Sequence, residues 1–113
     1  MSSVDLMAIA VDWLDAYRAG DLFIIDFYDC DASLQCDCGG KRESRGTHAI
    51  AAYWQQRLVQ EPVGELIELQ SDGIDVVLHF RVSAEIVKAT LTFNPDGSLR
   101  HSRCGPLNNQ VAA

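Results

Sequence analysis

Basic charge is scarce in this chain. Nine lysines and arginines stand against sixteen aspartates and glutamates in 113 residues, giving a formal charge of −7. That balance repels phosphate backbones and anionic lipid, and with no basic stripe to offset it no nucleic-acid partner is expected. The densest basic run, Lys41 to Arg45 (KRESR), contains its own glutamate and reads as a solvated loop. Long apolar runs are missing as well. Asp5, Asp12 and Asp15 interrupt the N-terminal stretch, no basic segment precedes it, and nothing approaches the ~18 consecutive apolar residues that a membrane span requires. Neither a secretory signal nor a membrane partner is expected. The chain is expected in the cytoplasm, with its four cysteines as thiols.

Paired metal-ligand spacing is also lacking. Cys36 and Cys38, in the stretch LQCDCGG, sit two apart on an expected strand and share a face, so both thiols could reach one metal with Cys30, Cys104 or His101. Structural zinc sites, however, use two ligand pairs at C-x₂₋₄-C spacing, and here one pair stands at C-x-C. No C-x-x-C redox motif exists. No metal and no cofactor are therefore expected. Cys30 and Cys104 read as small buried hydrophobes. Cys38, beside two glycines whose N–H groups could stabilise a thiolate, is the exception, but the sequence places no histidine near it.

What is present is ordinary globular composition, 48% apolar and 22% charged, sufficient for one core and one domain over residues 1–113. Residues 3–19 predict an amphipathic helix capped by Ser2 or Ser3. Leu6, Ala10, Trp13 and Tyr17 lie on its buried face, Asp5, Asp12 and Asp15 lie opposite, and Gly20 is the stop. A short helix from an Asp21 cap to about Tyr28 is expected to bury Leu22 and Ile25, with Tyr28 as a further candidate. ASLQCDC then reads as a strand that returns near Ser44. Thr47 is expected to cap a third helix with Ile50, Trp54 and Leu58 as its stripe, ended by Pro62.

From Val63 the period changes to two. Ile74, Val76, Leu78, Phe80 and Val82 share one strand face, with Asp75, Val77, His79 and Arg81 on the other. Val87, Ala89, Leu91 and Phe93 point inward on the next strand, and NPDG turns into the last. His79 reads as a partly exposed sheet histidine rather than a catalytic one. On the last strand, alternation from Leu99 turns His101 and Arg103 inward. Helices first and strands after argue for an α+β domain, with three helices packed on one face of an antiparallel sheet.

Ala16 or Ala19 with Gly20-Asp21, Asp31-Ala32, Gly46 and Tyr53-Trp54, followed by FNPDGSL, occur in an order that resembles the nuclear transport factor 2-like superfamily, which includes SnoaL-like cyclases and ketosteroid isomerases. The resemblance covers nearly the whole chain. It implies a cone, a strongly bent sheet wrapped around helices, with a mostly apolar cavity and a homodimer through the outer sheet face. It also turns Ser102 and Cys104 to the cavity, as though a bulge intervened, which leaves two readings of the last strand open. An inward Arg103 would imply an anionic ligand, and inward Ser102 and Cys104 a neutral one.

The resemblance further implies a general base just past the first strand. Counting from Gly20-Asp21 places it on Asp37, and counting from Asp31-Ala32 places it on Cys36. Asp37 supplies the carboxylate that such a base requires, with His101 as a weaker second candidate. The isomerase's oxyanion donors correspond to Trp13, Trp54 and Ala89. Loss of one such donor typically costs on the order of 10²–10³ in rate, so ketosteroid isomerase itself is excluded. Trp13, Tyr17, Phe27, Tyr53 and Trp54, with Leu78, Phe80, Val87, Ala89 and Cys104, are expected either to enclose a small hydrophobic or aromatic ligand or to fill the core. The expected function is a small-molecule-binding protein. The alternatives are an isomerase, cyclase or dehydratase using Asp37, or an interaction module with no ligand.

Overall fold

A computed structural model describes residues 5–37, 42–59 and 63–107. The order is helix α1 (Leu6–Ala19), a 3₁₀ segment (Leu22–Phe27), strands β1 (Tyr28–Cys36) and β2 (Arg42–Arg45), helix α2 (Thr47–Arg57), then β3 (Val63–Asp72), β4 (Asp75–Val82), β5 (Glu85–Phe93) and β6 (Leu99–Pro106). Helices packed on one face of a mostly antiparallel sheet make the α+β class expected from the sequence, although β1 and β2 precede α2. The strands form one curved, open sheet in the order β2-β1-β6-β5-β4-β3. Every neighbouring pair is antiparallel except β1 and β6, which run parallel.

Local chemistry explains the ends of α1. Asp5 is the N-cap, its carboxylate accepting the Ala8 N–H at 3.2 Å, and Gly20 closes the helix at φ 67 with its N–H bonded back to the last turn. Asp5, exposed as expected, thus serves as the cap. Ser2 and Ser3, the expected caps, lie outside the described residues. Ala10, Trp13 and Tyr17 are buried on the predicted stripe, with Leu14 buried beside them.

Asp21 caps the 3₁₀ segment through the Phe23 N–H, as expected, but Ile24 is the buried residue, while Leu22 is exposed and Ile25 only half-buried. Three residues per turn, rather than 3.6, rotate a different side chain inward. Phe23, also exposed, meets the half-buried Phe27 edge-on. At α2 the N-cap is Gly46, at φ 88 and without a side-chain cap, and Thr47 is the first helical residue. Ile50, Tyr53 and Trp54 are buried and Leu58 half-buried. Pro62 lies outside the described residues.

Strands β4 and β5 follow strict alternation, so Val76, Leu78, Phe80 and Val82 pack beside Val87, Ala89, Leu91 and Phe93 on the inner face. Ile74 does not join them: it sits in the turn after Gly73 and is 48% exposed. The helices cover this inner face and form one core with it. Among the described residues no helix is long and apolar enough to cross a membrane.

Candidate functional site

The interior between the two α-helices and the inner sheet face is lined by aromatic rings. Trp13 and Tyr17 come from α1, Tyr53 and Trp54 from α2, and Phe80 from β4. All meet edge to face, with centroids from 4.9 Å (Tyr17–Trp54) to 6.4 Å (Trp13–Phe80). That arrangement sets the electropositive ring edges against π-faces. Leu78, Phe80, Val87, Ala89 and Cys104 complete the wall from the sheet. Of the aromatic residues expected here, Phe27 stands apart at the margin, against Phe23.

Four polar groups converge inside this apolar shell. The Trp13 indole N–H donates to the Tyr28 hydroxyl at 3.3 Å, and that hydroxyl shares a 2.9 Å hydrogen bond with Ser102 Oγ. Ser102 is the one buried polar residue of the described chain. Both indole N–H groups, of Trp13 and of Trp54, favour the ionised form of Tyr28, yet only that of Trp13 reaches hydrogen-bond geometry. Trp54 Nε1 is buried without a partner among the described residues. Burial nonetheless dominates at Tyr28 and holds its phenol well above the usual range, so it stays neutral.

Ser102 reaches the interior because β6 carries a bulge. Phe93 pairs with Leu99 but Thr92 pairs with His101, which leaves Arg100 as the extra residue. Leu99, Ser102 and Cys104 therefore all point inward, as the family resemblance implied, and His101 and Arg103 do not. A second irregularity lies in β1, where Tyr28 pairs with Leu99 and the next pairing is Ser33 with His101. Asp29, Cys30 and Asp31 bulge outward together, while Ala32 stays buried. These three are the one group of described residues with metal-ligand proximity. Asp29 is already engaged by Asn94 Nδ2 at 2.8 Å and by the Asp31 N–H at 3.1 Å. Cys30, read as buried from the sequence, is exposed because of this bulge.

At the other end of the interior, Cys36 and Cys104 are register neighbours on β1 and β6, both buried and neither in a disulfide. Burial, reinforced by Cys36, pushes the Cys104 thiol up to about 12. Tyr53, buried against the same two cysteines, is likewise held above the usual phenol range. Arg57 closes this end, donating from Nε to the Tyr17 hydroxyl at 2.8 Å. Cys38, the other half of the C-x-C pair, lies outside the described residues.

Asp37 and His101 are on the opposite side of the sheet. Alternation along β1 sends Leu34 and Cys36 inward and Gln35 and Asp37 outward. The Asp37 carboxylate accepts from Gln35 Nε2 and from Arg103 Nε, both at 3.2 Å, with its side chain 26% exposed. His101 Nδ1 lies 2.7 Å from Ser33 Oγ, across from Ser33 in the register. Asp37 is four residues further along that strand, roughly 13 Å at ~3.3 Å per residue, so the two are not brought together. His79 lies on the same outer face, 3.5 Å from Glu68 Oε1 and half-buried.

Sequence reasoning found the aromatic wall but neither Arg57 nor the full polar cluster. Tyr28 sits at the junction of a 3₁₀ segment and a strand, where no single periodicity applies, and Arg57 reads as an ordinary surface residue at a helix end.

No protein-family model matches the chain, and no curated protein is similar to it. Solved structures are. A SnoaL-like protein of unknown function from Burkholderia thailandensis superposes with TM-score 0.76 at 20% identity, over 88% of this chain and 92% of that one. SalBIII, an epoxide hydrolase/cyclase-like enzyme in pyran ring formation of the polyether salinomycin, superposes with TM-score 0.68 at 20% identity, over 89% of each chain. An NTF-2 like protein of unknown function from Burkholderia xenovorans gives 0.73 at 18%, over 89% and 82%. The chain thus has the cone-like α+β fold of the SnoaL-like and NTF2-like proteins.

Proposed function

We propose that this protein binds a small, largely apolar or aromatic molecule between α1, α2 and the inner face of the sheet. The observation that supports it is the polar cluster of Trp13, Tyr28, Trp54 and Ser102 enclosed by an otherwise apolar aromatic wall. Small-molecule sites have that composition: mostly hydrophobic lining, with a few convergent polar groups that fix orientation. A domain that needed only a core would gain nothing by burying a donor without an acceptor, which costs about 1–3 kcal/mol. The rings already touch one another, so binding requires them to move apart. By analogy with the fold's other members, the working form is a homodimer through the outer sheet face that carries Asp75, His79 and Arg81. Cysteines outside any disulfide among the described residues fit a reducing compartment such as the cytoplasm. Native mass spectrometry of the purified protein tests subunit count and co-purified ligand together. A thermal-shift screen against small hydrophobes tests binding directly, and stabilisation by none of them would return the interior to the role of a core.

The second reading is catalysis with Asp37 as general base, for which the fold likeness to SalBIII is the support. Gln35 and Arg103 hold the Asp37 carboxylate in one orientation at the strand end, so a substrate would meet it at the rim and not among the aromatic rings. Asp37→Asn separates the readings. Turnover abolished with ligand binding intact identifies the enzyme, and neither property changed removes Asp37 from the site.

A further inference from the structure

Independently of the binding reading, we infer that Asp72 is a site of spontaneous modification, where the backbone isomerises to isoaspartate at the tip of the β3–β4 hairpin, and that Asp96 is protected from it. The sequence holds two Asp-Gly pairs, Asp72-Gly73 and Asp96-Gly97. Such a pair can close on itself, because glycine has no side chain to shield its amide nitrogen. Gly73 N attacks Asp72 Cγ in the carboxylic acid form. The N–Cγ bond forms, the Cγ–OH bond breaks, and the hydroxyl leaves with the amide proton as water. Water then opens the five-membered imide. Attack at Cγ restores aspartate, whereas attack at the main-chain carbonyl leaves the chain running through Cβ as isoaspartate. The water lost is regained, no other reactant is needed, and the mass is unchanged.

The two turns differ in every group that this reaction uses. At Asp96 the carboxylate Oδ1 accepts the Ser98 N–H at 2.9 Å and the Ser98 hydroxyl at 2.7 Å. These bonds hold its carboxyl below the usual carboxylate range, which depletes the acid form. The nucleophile is occupied as well, since the Gly97 N–H donates to the Asn94 carbonyl at 2.9 Å. Asp72 is exposed, and its carboxylate has no hydrogen bond or ion pair among the described residues. The Gly73 N–H likewise has no acceptor among them. Asp72 pairs with Asp75 as the last rung of a hairpin whose β3 is an edge strand, so only that rung has to open for Cγ to reach the nitrogen.

The test ages the full-length protein in warm neutral buffer made with heavy-oxygen water, beside a sample held unfolded in guanidinium. Peptide mapping with electron-transfer fragmentation distinguishes isoaspartate from aspartate at each site. Oxygen taken up from solvent counts every imide opening, including those that return to aspartate. In the unfolded chain the two pairs should react at similar rates. In the folded protein Asp72 is expected to exceed Asp96 by about tenfold or more, the worth of one hydrogen bond to a charged group. Ser98→Ala, which removes one of the two bonds to Asp96, should raise modification there and leave Asp72 unchanged. If that variant does not fold, the wild-type ratio still decides. Equal rates at the two sites of the folded protein, a preference for Asp96, or an Asp72 that reacts only in the unfolded chain overturns the inference.

Discussion

Leu99 and Ser102 both face the interior, although they stand three positions apart on a strand whose alternation should send them to opposite sides. The extra residue is Arg100, opposite the Thr92–Phe93 register shift. This one insertion delivers Ser102 and Cys104 to the inner face and His101 and Arg103 to the outer one. Without it the cluster around Tyr28 would lose its serine.

Deleting Arg100 should therefore do far more than removing its side chain. In the deletion, either Leu99 or the Ser102–Cys104 pair must turn outward, since a one-residue slip reverses every side chain beyond it. We expect loss of the cooperative urea transition and of near-UV dichroism from the tryptophans. Arg100→Ala, at an exposed position, should stay within about 0.5 kcal/mol of the parent. A deletion variant as stable as the parent would show that the bulge does not set the register.

The same residue explains where sequence reading succeeded and where it stopped. Strands β4 and β5 keep an unbroken period of two, so Leu78, Phe80, Val87 and Ala89 were placed correctly from alternation alone. The helical stripe likewise gave Trp13, Tyr17 and Trp54. Bulges carry no comparable signal: the outward loop at Asp29 to Asp31 exposed a cysteine read as buried, and Arg100 decided a strand face that alternation had assigned the other way. Ile24 was missed because a 3₁₀ turn and an α-turn bury different residues of the same sequence. The Arg57–Tyr17 bond joins two helices and has no local signature at all.

Tyr28→Phe should test the polar cluster without disturbing its volume. The substitution removes the acceptor of the Trp13 N–H and the partner of Ser102 at once, leaving buried groups unmet at a cost of about 1–3 kcal/mol. Urea denaturation should show a lower midpoint with an unchanged slope. Adding Ser102→Ala should cost less than it does in the parent, because the bond it would break is already gone, and a double-mutant cycle measures that coupling. Fully additive effects would mean that the two hydroxyls do not bond.

Alkaline pH should destabilise the protein in two stages, and the sign follows from which state holds the proton. Burial raises Cys104 from 9.0 to about 12, and raises Tyr28 and Tyr53 above the ordinary 10.0 of a phenol. In the unfolded chain these groups lose their protons at the ordinary values, while the folded chain retains them. Above those values the folded state binds more protons, so stability falls as pH rises. The interior is fully stabilised below pH 9, begins to weaken there as unfolded Cys104 ionises, and weakens more steeply above pH 10 when the tyrosines follow. Each group contributes a slope of up to about 1.4 kcal/mol per pH unit over its own window. Urea midpoints measured across this range should decline with that break. Phenolate absorbance from Tyr28 and Tyr53 should appear only with unfolding. Two phenols titrating at their ordinary value in a chain that remains folded would place both hydroxyls in solvent, and the polar cluster would have to be abandoned.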